Sequence, residues 1–159
     1  MPTSRGPIIR DLSHSECEAI LARHNVGRIA YARDSRVDIE PINYVYADGW
    51  IYCRTSRGVK VVTIEHQHWV AFEVDEVDGL FDWRSVVVRG AVYFLDADSP
   101  PVDAHSFAQG VKLLGDLVPG TGTQDDPVAS RRLVMRIHLD EVTGRAATFA
   151  AVDDGRHRK

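Results

Sequence analysis

The chain has 159 residues, 44% hydrophobic and 26% charged, and a formal net charge of -4. That length and composition suit one globular domain with a buried core and leave little room for a second. The acidic balance excludes a global field for nucleic acid or anionic lipid, and no apolar run approaches membrane-spanning length, so neither partner is expected.

Cys17 and Cys53 form no CxxC pair and read as inert thiols of a cytosolic chain, and the N-terminus lacks a hydrophobic signal core, so a cytoplasmic location is expected. Residues 1–11 read as a flexible arm, residues 12–150 as the single domain and residues 151–159 as a disordered tail. Ser13-His14-Ser15-Glu16 is a capping box, in which serine and glutamate satisfy each other's backbone donors. It predicts a helix to about Asn25, with Cys17, Ile20 and Leu21 as the apolar stripe.

Strands are predicted over Val26–Ala32 and Val37–Tyr46, joined by the Asp34-Ser35-Arg36 turn, and then over Trp50–Thr55 after Asp48-Gly49. Asp-Gly between alternating segments is a strong hairpin signal, because both residues tolerate positive φ. Gly58–His66 reads as a short helix with Val59, Val62 and Thr63 or Ile64 turned inward. Strands resume at Trp69–Val74 and Arg84–Leu95, where Gly90 suggests a bulge. A helix over Val102–Val118 and a Gly/Thr/Asp/Pro loop over Pro119–Asp126 follow. Closing strands are expected at Arg132–Leu139 and Arg145–Ala150, around Val142-Thr143-Gly144. The fold class is mainly β with short helices, six or seven antiparallel strands whose spacing suits a closed or split barrel.

One turn concentrates unusual chemistry. Arg54-Thr55-Ser56-Arg57-Gly58-Val59-Lys60 joins a strand to a helix with two hydroxyls, a glycine and several cations, and Lys60 is one of three lysines in the chain. A phosphate needs cations together with hydroxyls or free amides, and these residues supply them within one turn. The same composition also suits a solvated turn. Pro41 within Glu40-Pro41-Ile42-Asn43 removes a ladder donor, which places it at an edge or bulge.

The order of a capped helix, VGRIAYA, EPINYVY-DG-WIYCRTSRGVK, WVAFEVD and SVVVRGAVYFLD resembles the pyridoxamine 5'-phosphate oxidase-like flavin-binding split barrels, nearest their nitroimidazole-resistance-like branch. The resemblance spans roughly Leu12 to Asp96. It implies an antiparallel six-stranded split β-barrel and a homodimer with FMN in grooves at the interface. Arg54, Thr55, Ser56, Gly58 and Lys60 would then cradle the FMN phosphate. Glu40, Pro41, Ile42 and Asn43 would line the ring, largely through backbone groups, and Trp83 and Ser85 would approach across the interface. Phe81-Asp82-Trp83-Arg84 departs from the usual pattern of the family.

The resemblance implies hydride or electron transfer to a small nitro-aromatic or quinone-like acceptor, with no side-chain acid or base singled out. Two alternative readings stand beside it: a reductase holding a deazaflavin in the same groove, as related barrels do, with Arg28, Arg33 and Arg36 along its anionic tail, and a non-enzymatic flavin- or haem-binding module. Pyridoxamine-phosphate oxidase activity itself is not expected, since the chain ends in a short polar tail rather than a basic substrate-binding segment. Glu65-His66-Gln67-His68 predicts no metal site, because residues two apart on a helix face different ways.

Overall fold

The Asp48-Gly49 turn takes the conformation its residues favour, with φ of 49° and 80°. The computed structural model describes residues 6–149. In chain order the elements are β1 (Pro7–Asp11), α1 (His14–Arg23), β2 (Val26–Arg33), β3 (Arg36–Ala47), β4 (Trp50–Thr55) and α2 (Val59–Gln67). They continue with β5 (Trp69–Gly79), β6 (Asp82–Leu95), α3 (Ala104–Leu117), β7 (Leu133–His138) and β8 (Glu141–Phe149).

Antiparallel pairing runs β6-β5-β2-β3-β4-β7 and returns to β6. Six strands therefore close into a barrel, which abolishes their free edges over the closed part. Strands β8 and β1 lie outside the ring, as a flap on the first part of β6.

The barrel is split because β6 changes partner along its length. Trp83–Arg89 pairs with β8, whereas Val92–Leu95 pairs with β7. Gly90 stands at the changeover, and a Cβ there would lie 1.7 Å from the His138 carbonyl oxygen. Its role is close approach rather than the expected bulge. The β5–β6 register runs unbroken through Val70–Gly90, and the irregularity falls between Val77 and Gly79.

Inward residues of the six strands fill the core. Tyr44 and Phe72 meet edge to face at 5.0 Å, among Ile29, Ile51, Val88 and Met135. The buried Tyr44 hydroxyl donates to Leu21 O of α1 at 2.7 Å, so its polar end is satisfied. A second cluster, Tyr52, Leu95, Leu114 and Val134, seats α3 on the outside of β4 and β7. Cys17 and Cys53 are buried and free, and burial pushes the Cys53 thiol up to about 12, leaving it protonated.

Several expectations are corrected. Pro7–Asp11 is a strand along β8, not a loose arm, held by a ladder that local sequence does not encode. The rest of the expected arm, residues 1–5, and the expected tail, 151–159, lie outside the described residues. On α2 the buried positions are Val61, Thr63 and Ile64, while Val59 and Val62 are exposed. An apolar run on a short helix suits either rotation, and the barrel mouth selects one. Val142-Thr143-Gly144 belongs to β8 instead of forming a turn. Among the described residues no helix is long and apolar enough to cross a membrane.

Glu76 ties α1 to the β5–β6 arm. It accepts from Arg23 Nε at 2.5 Å and Nη2 at 2.8 Å, and from His24 Nε2 at 2.6 Å. The Arg23 hydrogen bonds, against an opposing desolvation, lower its carboxyl from 4.5 to about 2. A lowered carboxyl stabilises the fold fully above its unfolded value and loses that contribution as pH falls toward the folded value. Glu76→Gln is therefore expected to cost about 1 kcal/mol at neutral pH, since Arg23 is half exposed, or about 3 °C in melting temperature. The gap between variant and wild type should close between pH 4.5 and 2. Melting curves with a gap constant over that range would refute the assignment.

Candidate functional site

The site begins where β3 and β4 part. Their ladder runs from Ala47–Trp50 to Tyr44–Cys53 and stops there. Tyr44 N–H donates to Asn25 O at 2.9 Å, on the β2 side. Alternation then turns the backbone groups of Asn43, Pro41 and Ile39 toward the β4 side, where no ladder partner stands among the described residues. Pro41 thus falls in the register where a missing N–H costs no ladder bond.

Across this gap β4 ends at Thr55 and α2 begins. Gly58 is the N-cap residue and no side chain caps the helix, so its first amides point out with the positive end of the helix dipole. The φ of Gly58 is 177°, extended backbone open to any residue, and a Cβ there would meet nothing within 4 Å. Neither strain nor crowding inside the protein calls for glycine. What a side chain would obstruct is access to the free amides.

Lys60, in the first turn of α2, forms an ion pair with Glu40 of β3. That pair joins the two sequence segments singled out for phosphate and ring. Strand alternation divides the β3 segment: Ile42 is buried and shares the inner face with Glu40, whereas Pro41 and Asn43 are exposed on the outer face. Ser56 and Arg57 are exposed, but the Thr55 side chain is buried at 4% and its hydroxyl reaches only Ser56 O at 3.4 Å.

Arg54 is committed elsewhere. Its guanidinium grips Asp126 through Nη2 at 2.5 Å and Nη1 at 3.2 Å, and also donates to Thr121 Oγ1 and Arg131 O. Asp126 accepts in addition from Gly122 N and Val128 N. Hydrogen bonds from Arg54 and these amides hold its carboxyl well below the usual range. The pair is 11% and 3% exposed and clamps the 118–132 loop against the β4–α2 turn. Arg54→Ala is expected to free that loop, so that trypsin cleaves after Arg131 and Arg132 at least about tenfold faster, as local opening replaces clamping. Equal digestion rates for variant and wild type would reject the clamp.

Trp83 and Ser85 lie half-buried on the outer face, with Arg145 directly opposite Ser85 on β8. The same face carries Asn43, but β2 and β5 intervene, so the two groups are three strand spacings, about 14 Å, apart. Between them Arg28 is held by Glu73 at 3.3 Å and Asp75 at 3.4 Å. Arg33 and Arg36 pair with each other at the far end of the β2–β3 hairpin, about 17 Å along the strand from Arg28. The three arginines do not form one track. His66 Nδ1 donates to Val62 O at 2.7 Å, and among the described residues no three His, Cys, Asp or Glu side chains gather as a metal-holding group.

Sequence reasoning missed Asp126, the partner that decides what Arg54 does. Its run, Thr121-Gly122-Thr123-Gln124-Asp125-Asp126-Pro127, reads as an ordinary loop. The available signal was an aspartate able to cap the amide two residues on, as Asp126 does for Val128.

This arrangement, a closed six-stranded ring with a flap on its longest strand and an open seam at an uncapped helix, defines a split barrel. A family model described as pyridoxamine 5'-phosphate oxidase matches residues 13–146, and the chain belongs to that family. A FAD-binding protein from Mesorhizobium loti is 27% identical, with a TM-score of 0.73 over 91% of this chain and 100% of that one. The FAD-binding protein from Mycobacterium smegmatis is 28% identical, with a TM-score of 0.62 over 87% and 98% of the two chains. An uncharacterized protein of Rhizobium meliloti (strain 1021) is 28% identical over 144 residues, 87% of this chain and 95% of its own.

Proposed function

We propose that the chain is a flavoprotein that holds the flavin phosphate at the start of α2 and passes electrons to a small nitro-aromatic or quinone-like acceptor. The observation that carries this reading is the uncapped α2 N-terminus facing an unladdered stretch of β3 across the Lys60–Glu40 pair. The residues present fit the group. Free amides, Ser56, Arg57 and Lys60 suit a dianionic phosphate, and open space at Gly58 admits it to the backbone. The backbone N–H groups of Ile39 and Asn43 suit the polar edge of a flat ring.

When bound, the flavin supplies the redox chemistry. This chain's part is to orient the ring through the β3 edge and anchor it through the turn. Donors at Asn43 stabilise negative charge on the ring edge. Lys60, already beside Glu40, is shared between that carboxylate and the phosphate, which coordinates the turn with the ring-lining strand.

A homodimer belongs to the same proposal. Val37 and Ile39 are 75% and 68% exposed on the outer face, beside Ala30 and Ala71, an apolar surface that a second copy would cover. If Trp83 and Ser85 reach a cofactor on β3, the three strand spacings from Asn43 to Ser85 favour their coming from a second copy.

Purified protein is expected to show flavin absorbance or, as apoprotein, to bind FMN or FAD with quenching of flavin fluorescence. Loaded protein should then oxidise a reduced nicotinamide nucleotide in the presence of a quinone or nitro-aromatic compound. Binding without any turnover would leave a flavin-binding module and remove the enzyme; binding of neither flavin would remove the flavoprotein.

A further inference from the structure

Resting on the flavin reading, we infer that the cleft between the β4–α2 turn and α3 binds the adenylate half of FAD, so that the chain prefers FAD to FMN. The cleft has a volume of about 630 Å³, within the range of small-molecule sites. Phe107 and Val111 of α3 and Val134 of β7 give it an apolar floor, and Arg57, Arg131 and Arg132 stand at its rim. A flat apolar base above the floor and phosphates at the rim match that division.

Its position provides continuity. Arg57 lies between Ser56 and Gly58, inside the turn assigned to the first phosphate, and its side chain also lines the cleft. The guanidinium is 70% exposed and lies 3.9 Å from Glu65 and 3.7 Å from Asp96, both beyond hydrogen-bond distance. It is loosely ion-paired with both carboxylates, and the second phosphate of a pyrophosphate would compete with them for it. Asp126 adds no repulsion, because Arg54 neutralises it. Arg57, Arg131 and Arg132 then face Asp96 and Asp98, a positive balance in a chain of net charge -4. Ser130 on the same wall offers a hydroxyl to a ribose.

The test titrates the full-length apoprotein with FMN and with FAD. Wild type is expected to bind FAD at least about tenfold tighter, the worth of one or two charge-assisted hydrogen bonds. The exposed double change Arg131→Glu/Arg132→Glu, and separately Ser130→Trp to obstruct the cleft, should erase that preference while leaving FMN affinity unchanged. Equal affinity of wild type for the two flavins, or parallel losses for both in the variants, would overturn the subsite and leave the flavin reading standing. Failure to bind either flavin would overturn both.

Discussion

Replacing Lys60 by glutamate is expected to weaken flavin binding at least about a hundredfold, with the barrel still folded. The change removes a cation from beside the phosphate and installs an anion there. Two unit charges 4 Å apart at the edge of a protein interact by about 4 kcal/mol at an effective dielectric of 20, and a hundredfold in affinity needs only about 2.7 kcal/mol. The side chain is 20% exposed and Glu40 39%, so solvent screening lowers the electrostatic figure without cancelling it. Glutamate at 60 would also face Glu40 and loosen the contact between α2 and β3. Lys60→Met separates the two effects: it keeps the apolar stem, adds no repulsion, and should cost about tenfold in affinity with a near-normal melting temperature. Titration of each apoprotein with FMN and FAD, alongside its melting curve, reads both effects. Unaltered affinity in the glutamate variant would remove the phosphate from the start of α2.

The second large effect concerns the fold itself. Gly90→Ala is expected to destabilise the protein by about 3 kcal/mol or more, near 10 °C in melting temperature, or to prevent accumulation of folded protein. The added methyl would sit 1.7 Å from His138 O and 2.9 Å from its carbon, and these are backbone atoms that no rotamer change can move. Relief requires β6 and the end of β7 to separate where β6 passes from β8 to β7, which opens the ring. Gly49→Ala serves as the control. Gly49 has a φ of 80° with nothing within 4 Å of its Cβ position, so the cost there is the milder one of backbone strain, about 1 kcal/mol. A Gly90→Ala protein as stable as Gly49→Ala would show that β6 and β7 do not approach this closely.

Local chemistry is what the sequence exposes well. The Ser13–Glu16 capping box forms with both reciprocal bonds, because its atoms lie within one helical turn. The Asp48-Gly49 hairpin is equally legible, since positive φ is a property of the two residues alone. The clustering of Ser56, Arg57, Gly58 and Lys60 needs nothing beyond a strand that ends and a helix that begins. Pro41 announced an edge, and the structure puts it at one.

Legibility fails where the answer depends on a partner far away in sequence. Arg54 reads like its neighbours in the turn, yet its charge is absorbed by Asp126, seventy-two residues on. Strand β1 carries no signal of its own, because an exposed five-residue segment becomes a strand only when β8 offers it a ladder. The rotation of α2 is of the same kind: VKVVTI places apolar groups on several faces, and contact with the barrel chooses Val61 and Ile64. The cleft under α3 is assembled from β4, α3, the 118–132 loop and β7, so no window of sequence contains it.

By itself the sequence determined the caps, the turns, the strand alternation and the cationic bend before α2, because each arises from interactions within a few residues. Only the tertiary structure decided which of those cations remain available, where the ring of strands changes partner, and that a second cleft adjoins the bend. Charges cancel and surfaces meet through space, and chain order carries no measure of that distance.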